Sequence, residues 1–412
     1  MHSEIISKSL KKRYRSEKLF KFYGKLAVGI TILFLLILFS AVIWRGAPAF
    51  IVHKAVLEVD LSNVKADEVA NGIDYREIMK ASSEIEFSHE DGSKEKVDMS
   101  DLFSKSARVE LKNEILKDPS LIGKKNMIWF SVSSNAEMLL KGKLEDDTNL
   151  IGEQQVLLIK DMIKRGLIKT EFNWNFFKLA DSSEPDSAGM AASIVGSFLT
   201  IIVFLIASFP IGVMAAFYLE EFAPKNTITD IVEVSINNLA AIPSIIFGLL
   251  GFVVYLNFMH LPRSSAIVGG LTLAMLVLPV IIISTRNAIR TIPYTIKDAA
   301  MAMGATKVQV MLHHTFPLSL PGIMTGTILA ISRALGETAP LLMIGMVAFI
   351  ADIPQGFSDP ATVMPVQIYL WSDSPEAGFA EKSAAAIIVL LAFLVVLNSI
   401  AVFIRNKFEK KW

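Results

Sequence analysis

Arg333 and Glu337 stand four residues apart in ILAISRALGETAPLLMIG (328–345), a run otherwise apolar enough to lie in hydrocarbon. A charge at mid-bilayer costs about 2.5–3.5 kcal/mol on insertion scales, and a central Leu, Ile or Phe returns only about 0.3–0.6 kcal/mol. Positions i and i+4 of a helix lie about 40° apart, so the spacing predicts two paired charges on one face of a continuous helix, turned into a bundle. Such a pair marks a polar path, and its bland counterpart is an ion pair that only fixes helix packing. For a path, the guanidinium fork can donate two hydrogen bonds to two oxygens of one oxyanion and stays charged at every relevant pH. The carboxylate would hold the fork and weaken anion binding enough for release. Arg286, near the end of another apolar block, is a second candidate for the path, with a headgroup anchor as its alternative role.

The elements that must hold these residues follow from composition. Of 412 residues, 52% are hydrophobic and 19% charged, and the apolar ones gather into blocks long enough to cross a bilayer, so this is an integral membrane protein. Forty Lys+Arg against forty Asp+Glu leave no basic field for nucleic acid, and the lack of Cys removes disulfides and thiolate chemistry. Residues 1–25 carry Lys8, Lys11, Lys12, Arg13, Arg15, Lys18, Lys21 and Lys25 against Glu4 and Glu17, which places this end in the cytoplasm; residues 26–44 then form an uncleaved first span. Residues 45–188 have the composition of a soluble domain and fall outside the cytoplasm. Strands are expected in AVLEVDLS, strands and a turn in SEIEFSHEDGS, and a helix in 151–168. His53 and His89 are isolated there and read as solvated surface residues.

Further apolar blocks at 190–218, 231–256, 265–289, 321–350 and 383–404 complete six spans and return the tail, 405–412, to the cytoplasm. The fold class is an all-α membrane protein of six transmembrane helices, with an extracytoplasmic α+β domain inserted between spans 1 and 2 and a core over 190–404. Asn237, Asn238 and Ser244 in the third block are read as helix-packing residues, with a place in the lining of the path as their alternative role. LEEFAPKNTITD (219–230) fits least well, because a cytoplasmic loop should be basic. No intramembrane His is available as the base an enzyme would need.

The loop at 290–320 holds DAAMAMGATKVQVMLHHTFPLSLPG (298–322), where a helix over 295–303 meets Gly304, a second amphipathic turn covers 306–314, and Pro317 and Pro321 are expected to end it. Asp298, Ala299, Ala300, Gly304 and Pro317 fall on the pattern of the EAA loop, which this segment resembles; Asp for Glu, His314 for an aliphatic residue and Phe316 for Leu depart from it. AAIPSIIFGLLG (240–251) and SRALGETAPLL (332–342) are similar to stretches of phosphate permeases of the Pst system, with TAPLL closer to the PstA type than to PstC. The resemblance covers 190–405 and the first span, and excludes the inserted domain. It implies a type I ABC-importer permease in the bacterial inner membrane that carries inorganic phosphate with a PstC-type second permease. It also implies a PstB-type cytoplasmic ATPase dimer docked on the EAA loop, and an extracytoplasmic PstS-type phosphate-binding protein. No G-x-x-x-x-G-K-[ST] phosphate loop occurs, so no cofactor is expected in this chain, and ATP binding and hydrolysis fall to the partner ATPase. Adjacent His313 and His314 point to different helix faces and are read as interface residues, not metal ligands. Membrane lipid is the remaining partner. Sulfate or another oxyanion as cargo, or a membrane sensor with a ligand-binding outer domain, stay open as alternatives.

Overall fold

The first helix, α1 (His2–Gly46), is 45 residues long. At about 1.5 Å per residue it measures about 67 Å, twice the ~30 Å bilayer core, so the basic stretch and the first apolar block are one rod and not two segments. Only Gly24 lowers helix propensity between them, by about 1 kcal/mol. The computed structural model describes residues 2–62, 64, 75–88, 94–143, 151–346 and 349–408. His89 and its turn, and the tail beyond Phe408, lie outside the described residues.

An α+β domain follows α1, built from β1 (Ile51–Asp60), α2 (Tyr75–Ser83), β2 (Glu84–Ser88), β3 (Lys94–Asp98), α3 (Ala107–Lys117), β4 (Lys125–Ser131), α4 (Ser134–Leu140), α5 (Glu153–Lys164), β5 (Ile168–Phe172) and the single turn α6 (Asn175–Lys178). β1 is the centre of a three-stranded antiparallel sheet in the order β4-β1-β5, and β2 pairs with β3 as a separate hairpin. Alternation along β1 puts Ala55, Leu57 and Val59 on one face, where they are buried with Phe130, Leu111, Ile115 and Ile159 from β4, α3 and α5. The helix expected over 151–168 is shorter, because Gly166 takes the left-handed region at φ +70° and turns the chain into β5.

The membrane core contains α7 (Ala191–Phe217), α8 (Thr227–Ala240), α9 (Ser244–Gly251), α10 (Ala266–Arg290), α11 (Tyr294–Ala302), α12 (Lys307–Val310), α13 (Phe316–Gly336), α14 (Ala339–Met343), α15 (Met364–Ser372) and α16 (Ala377–Phe408). Among the described residues five helical stretches are long and apolar enough to cross a membrane, and a sixth candidate is the bent pair Thr227–Ala240 plus Ser244–Phe258. The central pair is α7 against α10. A Cβ at Gly270 would lie 2.5 Å from the Val203 Cβ, and one at Gly212 would lie 2.8 Å from Ile281 Cγ2, so glycine permits the close approach. Around this contact Phe204, Val277, Ile281 and Ile289 are buried.

Two spans differ from expectation. The block 231–256 is not one helix: it bends by 101° at Ala241–Pro243. Pro243 supplies no N–H to the preceding turn and disfavours the α conformation at Ile242. The block 321–350 begins earlier and ends earlier, as one helix over Lys307–Gly336. Pro317 and Pro321 therefore lie inside it and do not end a preceding helix. A π-turn at Met311–Thr315 precedes Pro317 and opens the backbone where its ring would otherwise crowd the preceding turn.

The inserted domain is fastened to the start of α16 by charge. Lys141 Nζ lies 2.7 Å from Glu381 and 3.0 Å from Glu137, Lys143 Nζ lies 2.7 Å from Glu381, and His53 Nδ1 lies 3.0 Å from Glu137. His53 is thus partly buried on a carboxylate and is not the solvated surface residue expected from its isolation in sequence. Beside this cluster the Ser104 hydroxyl donates to Asp186, and Lys382 donates to the Ala188 carbonyl. Burial pushes the Asp186 carboxyl up to about 6, against the attraction of Lys382 and with help from Glu184 and Glu110. Its folded-state value exceeds the unfolded one, so ionisation weakens the fold: stability rises as pH falls through about 6 toward the ordinary carboxylate value. Asp186→Asn should therefore stabilise the fold at pH 7.5 by an amount on the order of 3 kcal/mol, raising the thermal unfolding midpoint, with roughly half that effect at pH 5 and little near the ordinary carboxylate value. An equal effect at both pH values would show that the carboxyl is not held in its neutral form.

Candidate functional site at the end of the fifth span

Arg333 lies in the last turn of α13, and the helix stops at Gly336. Glu337 has φ −81° and ψ 121°, so the two charges are not on one face of a continuous helix. They meet across a helix end: Arg333 Nε is 3.7 Å from Glu337 Oε1, an ion-pair contact longer than a hydrogen bond. The arginine side chain is 45% exposed in this chain and that of Glu337 20%. The position suits a cation, because the last-turn carbonyls of a helix carry partial negative charge. Ala334 and Leu335 are buried and orient this turn, and Ser332 Oγ is 3.0 Å from Asn398 Oδ1 on α16.

After the break, α14 is held by α9. A Cβ at Gly248 would fall 2.6 Å from the Pro340 Cα, so only glycine allows the two backbones to touch. The bend at Pro243 is what brings α9 to this place. Asn237, Asn238 and Ser244 were read as packing residues, but both asparagines are exposed in the last turn of α8 and Ser244 is half-buried at the start of α9.

Arg286 is neither a headgroup anchor nor open to a path in this chain. Its guanidinium is buried between two carboxylates, with Nε 3.2 Å from Glu220 and a second nitrogen on Glu233 of α8. Arg290 Nε reaches the other oxygen of Glu220 at 2.9 Å, and Lys297 Nζ of α11 lies 2.5 Å from Glu221. Glu220, Glu221, Glu233 and Lys297 were missed by sequence reasoning. The signal was the acidic loop 219–230: its Glu220 and Glu221 carboxylates are answered by Arg286, Arg290 and Lys297.

Asp298, Ala299, Ala300 and Gly304 form a compact corner. Gly304 has φ +90°, its N–H bonds the Met301 carbonyl at 2.9 Å, and the Ala305 N–H bonds the Ala300 carbonyl at 3.2 Å. These two bonds make a Schellman motif, which satisfies the last carbonyls of α11 and requires the left-handed region at the glycine. Thr306 then caps α12 in a reciprocal capping box with Gln309. Asp298, Ala299 and Met303 are exposed, Ala300 is half-buried, and Pro317 lies inside the following helix. His313 and His314 are exposed on the π-turn, with His313 Nδ1 3.0 Å from the Gln309 carbonyl.

The family model described as a binding-protein-dependent transport system inner membrane component matches residues 208–412, which covers the bent pair, the corner and the helix end with Arg333. A second model, described as a domain of unknown function (DUF3333), matches residues 7–149, that is, most of α1 and much of the inserted domain. The class is therefore that of the membrane components of binding-protein-dependent transport systems. The phosphate transport system permease protein PstA of Yersinia pestis is 30% identical over 238 residues, 57% of this chain and 78% of that protein; the PstA of Mycobacterium leprae is 30% identical over 240 residues, again 57% and 78%. The PstA of Haemophilus influenzae is 28% identical over 237 residues, 58% of this chain and 82% of that protein. The chain belongs to the PstA family of transport system permeases.

Proposed function

We propose that this chain is one of two membrane subunits of an ATP-driven importer of inorganic phosphate, with the anion passing the half-exposed fork of Arg333. The observation that carries the reading is the placement of Arg333. A guanidinium at a helix end inside an apolar segment, 45% exposed in the single chain, is too costly to leave against lipid. A second permease subunit covers it, and irregular backbone at membrane depth is tolerated where it is buried in protein or lines a polar cavity. The exposed apolar residues Ile231, Val234, Ile246 and Leu249 of the bent pair extend the surface such a subunit would bury.

On this reading the bent pair is the sixth crossing and both termini are cytoplasmic, with the inserted domain on the other side beside the binding protein. The exposed corner at Asp298–Gly304, flanked by Tyr294, Met301 and Met303, docks on a separate ATPase subunit that binds and hydrolyses ATP. The direct test is uptake of labelled phosphate by vesicles holding this chain with its co-purifying permease, ATPase and binding protein. Uptake should require ATP inside the complex's ATPase side and resist a tenfold excess of sulfate, on the order of the 1.4 kcal/mol discrimination a tuned oxyanion site supplies. Uptake abolished by equal sulfate would make another oxyanion the cargo.

A further inference from the structure

The hinge that joins α11 to its span is weak in one respect. α10 ends at Arg290, Thr291 and Ile292 turn the chain, Pro293 is extended with φ −58° and ψ 134°, and α11 starts at Tyr294. The same Ile-Pro device bends α8 from α9 at Ile242-Pro243. At its other end α11 passes through the Gly304 corner into α12, so both of its chain connections are turns about which it can pivot against α10. Apart from these two turns, α11 is tied to the end of α7 by Lys297, whose ammonium lies 5.3 Å from the centre of the Tyr294 ring and 2.5 Å from Glu221.

Glu221 sits in the π-turn Tyr218–Phe222 that closes α7, directly after Glu220. The two carboxylates divide their partners. Glu221 takes Lys297 of α11, and Glu220 takes Arg286 and Arg290 of α10. Arg286 then spans from Glu220 to Glu233 on α8, so two groups of ion pairs, joined through the adjacent residues Glu220 and Glu221, bring four elements together. The side chains of Arg286, Lys297, Glu220 and Glu221 are each less than one-fifth exposed, so solvent screens these contacts far less than surface pairs. From α8 the bend leads to α9, and α9 touches α14 at Gly248 and Pro340, immediately after the break that carries Arg333 and Glu337.

We infer that Lys297 and Glu221, acting through Glu220 and Arg286, are positioning residues for transport: they turn α11 from a hinged flap into a lever whose displacement moves α8 and α9 and so reshapes the helix end at Arg333. This inference rests on the importer reading, in which α11 is the part the ATPase moves. Contiguity alone does not prove coupling, so the test measures coupling itself.

The complete transporter, with its partner permease, ATPase and binding protein, is reconstituted with Glu221→Gln, Glu221→Lys, Lys297→Glu, and the exchange Lys297→Glu with Glu221→Lys. Phosphate transported and ATP hydrolysed are measured per assembled complex. Each single variant should hydrolyse ATP yet move about tenfold less phosphate per ATP, and the exchange should regain most of that ratio, a coupling energy of order 1.4 kcal/mol in the double-mutant cycle. A pair that only held α11 in shape would lower ATP hydrolysis and transport together and leave the ratio unchanged. That result overturns the inference, as does an exchange no better than the worse single variant. Should Lys297→Glu fail to assemble, the isosteric Glu221→Gln decides alone through the same ratio. Absence of phosphate uptake by the unsubstituted complex would strike the importer reading instead, so the two failures are distinct.

Discussion

Replacing Arg333 by Met together with Glu337 by Leu should abolish phosphate uptake while the complex still assembles. The assembly half follows from how ion pairs behave once buried, as this one would be when a second subunit covers Arg333: exchange of both partners for apolar groups of similar volume is often neutral, or stabilising by about 1–4 kcal/mol. The uptake half follows from the fork. Among the described residues the Arg333 guanidinium donates no hydrogen bond to the protein, and its contact with Glu337 at 3.7 Å leaves those donors available. Two hydrogen bonds to a charged oxyanion, each worth about 1.5–3 kcal/mol, amount to a loss of a hundredfold or more. Arg333→Lys refines the test. It keeps a cation at the C-terminal end of α13, where the helix dipole favours one by about 0.3–1 kcal/mol, and removes only the planar fork. Assembly should then be unchanged and most uptake lost, whereas Glu337→Gln should be milder because it keeps an acceptor beside the arginine. Normal uptake by the Met/Leu double variant would return the two charges to a packing role.

The residues of this site were legible in sequence because charge inside an apolar run is conspicuous. Its geometry was not. The i, i+4 spacing of Arg333 and Glu337 fits a helix, and only tertiary packing ends α13 at Gly336, with α9 pressed on Pro340 through Gly248. The same limit applies to the spans. Pro243 bends the third by 101°, yet Pro210, Pro279 and Pro321 sit inside unbroken helices, so proline alone does not decide where a membrane helix breaks. The acidic loop 219–230 looked like a flaw in the charge pattern because its partners lie 66 to 76 residues away in sequence. His53 looked solitary for the same reason, its carboxylate Glu137 being 84 residues distant. Local patterns, by contrast, transferred well: the helix before Gly304, the turn at it and the cap after it all rest on neighbours within six residues.

Gly304→Val is expected to leave the protein in the membrane and to cost it both the ATPase and transport. Two effects contribute, and they separate by experiment. The first is backbone strain within this chain: at φ +90° a residue with a Cβ costs roughly 1–2 kcal/mol, and a β-branched one more, which loosens the bonds from Gly304 to Met301 and from Ala305 to Ala300. The second is bulk at the docking surface. A Cβ at Gly304 meets nothing within 4 Å in this chain, so any clash arises only against the partner. Gly304→Asn distinguishes them, because asparagine tolerates the left-handed region while still adding a side chain of similar size. If the corner's shape matters most, Asn should retain much of the ATPase on co-purification, and Val should lose about tenfold or more. If bulk matters most, the two should fall together, with the isolated chain's thermal midpoint lowered only by Val. Full ATPase binding and full transport by the valine variant would remove the corner from the coupling path altogether.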